Sequence, residues 1–261
     1  QLGQAGGRQG KAAAFLETHR YAALKGGSLG FTKWEGTTVN AKDKIAYVAM
    51  SRIESSMLNG SGDVKVQGPY SGAIYQLNLK GGQKDSAGAA IDSEWVPVDM
   101  AAVPELVAED LGGDATTPYP VKKAQDALGN FANADKIATP DNLKFSEKLR
   151  TLFIGEDSSY HVNNFVWAYQ VDTGVLSRIA SMPAGAEATG LGVVDDLNGW
   201  TYITGNFQHP GDWLTNASGT GLHDKVKTTL DPLIRQNYNN RYSAAVGYLT
   251  TTDATQVKLA P

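Results

Sequence analysis

The chain of 261 residues carries 23 Lys and Arg against 27 Asp and Glu, a formal net charge of −4 at pH 7. It therefore lacks the basic excess of a nucleic-acid binder, and with no cysteine it holds neither a disulfide framework nor a cysteine-ligated zinc. Hydrophobic residues make up 41%, enough for a core, yet no apolar run approaches the ~20 residues of a membrane-spanning helix.

The 29 glycines point to many turns between short strands rather than to long helices. Residues 11–25 (KAAAFLETHRYAALK) read as a helix within an N-terminal connector over residues 1–30. Gln1 is not a start residue and no signal peptide is visible, so the chain reads as a piece of something longer.

A pattern then recurs three times. The first unit, residues 31–100, opens with a strand pair over 35–51 (EGTTVNAKDKIAYVAMS), followed by strands over 73–79 (AIYQLNL) and 95–99 (WVPVD). Residues 101–138 are expected to form a helical insertion, with helices over 101–112 and 121–138. The second unit, 139–183, has its pair over 141–157 (DNLKFSEKLRTLFIGED), then strands over 165–171 and 176–180. The third, 184–261, has its pair over 189–206 (TGLGVVDDLNGWTYITGN), a helix over 223–241 and a strand over 244–250. Aligned on Tyr47, Phe153 and Tyr202, the second strands end at Ser51, Asp157 and Asn206.

Four-stranded units that repeat with variable loops describe a β-propeller. The competing reading is a β-sandwich decorated with helices. Known propellers close with ~4–8 blades, so about three blades in this chain leave an open arc, or further blades upstream or on another polypeptide.

In a propeller the first strand of each blade lines the axis, where acids converge and repel unless cations neutralise them. Glu35 and Asp141 hold the same place in the first two units, and Glu187 lies two residues before it in the third. Glu156 and Asp157 end the second unit's strand pair, at the mouth. Oxygen ligands of this kind suit calcium, magnesium or ferric iron. Lys33, two residues before Glu35, projects to the same side of an extended strand. Lys33 and Arg52 are the candidate contacts for phosphoryl oxygens. His161 is a candidate acid or ligand with a structural role favoured, and His209, beside Asp212 in NFQHPGDW, reads as loop packing.

Six segments together resemble the PhoX-type alkaline phosphatases, calcium-dependent secreted bacterial enzymes. They are GKAAAFLETHRYAALKG, FTKWEGTTVNAKDKIAYVAMSRIESSM, NADKIATPDNLKF, TLFIGEDSSYHVNNFVWAYQVDTG, PAGAEATGL and GNFQHPGDW. The resemblance implies a six-bladed propeller, phosphate monoester hydrolysis, and a cluster of Ca2+ and Fe3+ ions, in the periplasm or outside the cell. It implies that Glu35 is a metal ligand, that the cation two residues before it contacts phosphate (with Lys33 where the family has Arg), and that Glu156 and Asp157 belong to the metal site. Asp141 and Glu187 are further metal-site candidates.

The family is more than twice as long, and a cysteine of its N-terminal half ligates iron; this chain has no cysteine. The expected partners are thus a small phosphoester and the N-terminal half of the same propeller, with little activity in its absence. The rival functions are a phosphodiesterase or phosphotriesterase of similar fold and a non-catalytic, calcium-stabilised scaffold.

Overall fold

A computed structural model describes residues 15–24, 33–54, 68–112, 124–214 and 224–249, together with Ala12, Met57 and Val66. The flanks of the helix expected at 11–25, the first three residues of that expected at 121–138, and residues 250–261 of the third unit lie outside the described residues.

Three antiparallel sheets follow one another along the chain. The first contains β1 (Trp34–Asn40), β2 (Ile45–Met50) and β3 (Ala73–Lys80), with β4 (Val96–Pro97) and β5 (Ala101–Val107) both paired to β3. The second is the meander β6 (Pro140–Ser146), β7 (Thr151–Glu156), β8 (Asn163–Gln170) and β9 (Val175–Ala184). The third is β10 (Glu187–Leu197), β11 (Trp200–Gln208) and β12 (Ala245–Tyr248). Helix α1 (Thr18–Leu24) precedes the sheets, and α2 (Asp224–Asn237) interrupts the third where a helix is expected. The class is all-β with helical additions. No helix among the described residues is long and apolar enough to cross a membrane.

The first strand pair of every unit falls where the repeat puts it. The 101–138 region does not. Residues 101–107 are a strand, β5, whose Val103 and Leu106 are buried against the sheet. Pro104 explains the correction: it disrupts a helix interior, whereas an outer strand tolerates its missing N–H. The strand expected at 95–99 shrinks to a two-residue pairing at the far end of β3. Residues 124–138 hold turns in place of the expected helix. There the Asp126 carboxylate accepts the N–H groups of Leu128 and Asn130 and the side-chain amide of Asn130, which competes with helix formation.

Strand β7 is buried at all six residues. It lies in the middle sheet and is covered on both faces, so it reads as an apolar run without alternation. Leu152 and Ile154 join Tyr47, Ile74, Leu143 and Trp167 in the core between the first two sheets.

The three sheets enter in the same way. Lys33, Thr139 and Gly185 all adopt left-handed backbone, with φ of 45°, 39° and 73°. Each stands two residues before an acid: Glu35, Asp141 and Glu187. Each carbonyl accepts an N–H from the chain leaving the second strand: from Ser51 at 3.1 Å, Asp157 at 3.2 Å and Asp212 at 3.2 Å. The Thr139 and Gly185 N–H groups donate to the carbonyls of Ser71 (2.6 Å) and Val162 (2.9 Å), just ahead of the third strand of the preceding sheet. Every new sheet is thereby tied to the last. In this frame Glu187 is the direct counterpart of Glu35 and Asp141, not a residue displaced by two.

Strand β6 lies between β1 and β10. The approach is closest at Gly36, where a Cβ would fall well inside contact with the Asp141 carbonyl oxygen and 2.7 Å from the Leu143 nitrogen. Gly155 meets the Ala188 carbonyl in the same way on the other side. Gly36→Ala is expected to destabilise the fold by about 1–3 kcal/mol, because backbone must move to admit the methyl. Gly247→Ala, where a Cβ meets nothing within 4 Å, should stay within about 0.5 kcal/mol. Denaturant melts of the two variants check this, and equal effects would refute the proposed close approach.

Candidate metal centre

The acids reach the centre through irregular backbone. In β1, Glu35 and Gly36 together face Ala49, because pairing jumps from Trp34↔Met50 to Thr37↔Val48. In β6, Asp141 is the extra residue between Pro140↔Glu156 and Asn142↔Gly155. Such bulges re-aim a side chain that regular pleating would send elsewhere. Glu187 sits in regular pairing opposite Gln208.

Electrostatics shows that the acids converge. Asp141 is pushed up to about 7, first by burial and then by the charges of Glu35, Asp157 and Glu187, with Lys33 opposing. Asp157 is also raised, by burial and by Glu187, against the pull of Lys33, His209 and Arg52. Burial pushes Glu187 up as well, but hydrogen bonds from His209, Gln208 and Thr189 outweigh it and hold the group low. His209 is raised chiefly by its hydrogen bond to Glu187, with burial opposing.

Among the predicted residues, the structure brings together Lys33, Glu35, Asp141, Asp157, Glu187 and Arg52. Lys33 Nζ lies 3.2 Å from Glu35 Oε1 and 3.9 Å from Asp157 Oδ2. Asn142 Nδ2 donates to Asp141 Oδ1 at 3.1 Å, and its contact to Glu187 Oε1 is long at 3.5 Å. Arg52 lies over the Tyr70 ring, 5.9 Å from its centroid, with its charge felt at Asp157. Asp157 Oδ1 is buried and has no hydrogen-bond partner, an arrangement that costs free energy unless a cation answers it.

Glu156 is not in the cluster. It is completely buried, and four donors occupy its oxygens: the N–H groups of Ala138 (2.9 Å) and Phe165 (3.0 Å), Trp167 Nε1 (2.7 Å) and His161 Nδ1 (2.9 Å). No lone-pair direction remains for a metal. The expectation that Glu156 and Asp157 act as a pair is corrected on simple grounds: consecutive residues at a strand end point to opposite sides. His161 Nε2 faces the Asn133 carbonyl at 3.3 Å, so both ring nitrogens meet acceptors and His161 serves the fold.

His209, which the sequence reads as loop packing, joins the acid cluster in the structure. Its Nε2 lies 3.2 Å from Glu187 Oε2, which also accepts from Gln208 Nε2. Ligand atoms of Asp157, Glu187 and His209 all lie within 4.8 Å of one another. The available signal is the end of β11 itself: a polar pair, Gln208-His209, emerging opposite the strand-entry acid Glu187.

No family model matches the chain, and no curated protein does. Among solved structures it matches Pseudomonas fluorescens PhoX in complex with vanadate, a transition state analogue, with a TM-score of 0.50 and 18% identity. The fold is PhoX-like. The match covers 80% of this chain but 35% of the PhoX chain, and at this identity it speaks for the fold alone.

The charge cluster sets a pH dependence. Between its ordinary value of 3.8 and its folded value of about 7, Asp141 keeps a proton that the unfolded chain has lost. Its contribution therefore makes stability fall as pH rises through that window. The raised His209 acts in the same direction, since the stability it adds is present at low pH and lost as pH passes its folded value. Thermal melts of metal-free wild type and Asp141→Asn isolate the first effect. Wild type is expected to lose stability relative to the variant from about pH 4 to pH 7, and saturating calcium should abolish that loss. A difference independent of pH would refute the convergence.

Proposed function

We propose that the three sheets are successive blades of a six-bladed propeller and that the chain forms one side of a metal-dependent phosphomonoesterase centre. The observation that carries the reading is the arrival of strand-entry acids from three consecutive sheets at one point, with Lys33 and Arg52 beside them. The PhoX-like fold supports it, since that protein is seen with vanadate. The residues fit a cation: Asp157 has a buried oxygen without a partner, and Asp141 is pushed up to about 7 by burial and then by its acidic neighbours.

Glu35, Asp141, Asp157 and Glu187 are a hard oxygen donor set suited to Ca2+. Fe3+ is implied by the family resemblance, but a thiolate ligand for it is not encoded here, since the chain has no cysteine. A bound cation supplies charge that polarises a phosphoryl oxygen. The chain's own residues do the rest. Lys33 offers a point charge and Arg52 a planar fork for the non-bridging oxygens of a small phosphoester. Asn142 and Gln208 hold Asp141 and Glu187 in place. The remaining blades of the propeller are the proposed partner, and the periplasm or the cell exterior the proposed location.

Calcium-dependent binding of vanadate to the 261-residue chain, measured by calorimetry, tests the reading. Binding is expected only with calcium present, and Lys33→Ala should weaken it at least tenfold, or about 1.4 kcal/mol. Vanadate binding that ignores both calcium and Lys33 would count against a phosphate site. A second reading, a calcium-stabilised scaffold without turnover, draws support from the one-sided cluster; calcium binding without any vanadate binding is its signature.

A further inference from the structure

Within the acid cluster one group differs in chemistry from the rest. Asp157, Glu187 and His209 offer two oxygens and an imidazole nitrogen, all within 4.8 Å of one another. They come from the second sheet's exit, the third sheet's entry, and the turn just after β11. We propose that these three residues form a mononuclear subsite selective for a first-row transition-metal dication such as Zn2+, Mn2+ or Co2+, which shares Asp157 and Glu187 with the calcium-type oxygen donors and is set apart from Glu35 and Asp141 by the imidazole nitrogen. The inference rests on the metal-centre reading above and refines it.

Three observations carry it. The first is donor type: imidazole suits transition metals, whereas calcium takes oxygen. The second is the buried, partnerless Oδ1 of Asp157. A first-row ion sits about 2.0–2.2 Å from nitrogen and carboxylate ligands, so donors already within 4.8 Å of one another lie near the span of its coordination sphere. The third is the support behind the ligands. The Nδ1 edge of His209 faces Asp212 Oδ2 at 3.7 Å, beyond hydrogen-bond reach, while Nε2 points toward Glu187. A carboxylate that hydrogen-bonds the far nitrogen of a metal-bound imidazole fixes the ring and strengthens its basicity, and Asp212 is the group placed to close that bond when a cation holds His209. Gln208 donates to Glu187 Oε2 and so leaves Oε1, with its long contact to Asn142, to turn toward an ion. Asp212 is itself placed by the N–H it donates to Gly185, the bond that recurs at every sheet entry. The subsite is thus built by the repeat and lies wholly within this chain.

The test uses Co2+ as the probe, added to the metal-stripped full chain and followed by its visible absorption and by calorimetry. One equivalent is expected to bind with a d–d band showing nitrogen ligation. His209→Gln should lower Co2+ affinity at least 100-fold and remove that band, while Ca2+ affinity changes less than threefold. Asp212→Asn, which leaves all three ligands in place, should weaken Co2+ about 10–100-fold; it decides the matter if His209→Gln fails to fold by circular dichroism. Unchanged Co2+ binding in the folded variants, or equal loss of Co2+ and Ca2+, overturns the proposal. Co2+ binding that persists where vanadate binding fails would sink the phosphate reading and leave this one standing. Calcium-dependent vanadate binding without a Co2+ site does the reverse.

Discussion

Everything at the candidate centre depends on how each sheet begins. A left-handed residue turns the chain, its carbonyl locks the exit of the second strand, and its N–H ties back to the preceding sheet where the described structure includes one. The acid two residues later is delivered to the same place each time. The conformation is costly: left-handed backbone disfavours L-residues by about 1–2 kcal/mol, and Thr139 is β-branched, which makes its φ of 39° unusual. The carbonyl bond at each turn, joined by an N–H bond at Thr139 and Gly185, offsets that strain and makes the position reproducible across the repeat. Strain of this kind persists where surrounding structure over-determines it, and such places are commonly functional.

The same frame explains why neighbouring acids have opposite fates. Glu156 and Asp157 are adjacent, yet one is enclosed by four donors and the other is left with a bare buried oxygen. The Glu156 network joins β7 to β8, to the segment before Thr139 and to His161, and it pins the residue at which the chain turns into the cluster. Breaking a buried charged network by removing one partner typically costs about 3–5 kcal/mol, so the end of β7 is stiff. Asp157 hangs from that stiff end. Its raised pKa comes from burial and from Glu187, that is, from being held where it would not settle by itself.

Much of this was legible in the sequence. The three strand pairs, the shared place of Glu35 and Asp141, and the closeness of Lys33 to Glu35 follow from spacing alone. What failed did so for definable reasons. The region over 101–112 has helix-compatible composition, and Pro104 was the signal against it. Glu156 was misassigned because β7 is buried on both faces, so nothing in its apolar run distinguishes the side facing the sheet interior from the side facing the centre. His209 reads as loop packing because its place beside Glu187 arises from pairing across β10 and β11, and a residue amid aromatic and turn neighbours carries no local mark of that. Glu187 looked displaced by two positions because the β10 bulge falls later, between Thr189 and Gly192, than the bulges of β1 and β6.

The position of that bulge has a chemical consequence. In the first two sheets the irregularity comes at the acid itself and swings Glu35 and Asp141 out of the pleat, toward each other and toward Lys33. In the third sheet the pleat is regular at Glu187, so its side chain stays beside its cross-strand neighbours, Gln208 and then His209. A carboxylate with two close donors keeps its charge, and Glu187 is held low although burial opposes it. Asp141, partly buried, with Asn142 as its one side-chain donor among the described residues and with three acidic neighbours, takes up a proton as pH falls to about 7. One repeated scaffold thus yields two kinds of acid, one held low and beside an imidazole, the other pushed up to about 7. That difference follows from where one strand slips by a residue, and it is what divides the cluster into an oxygen side and a side that carries nitrogen.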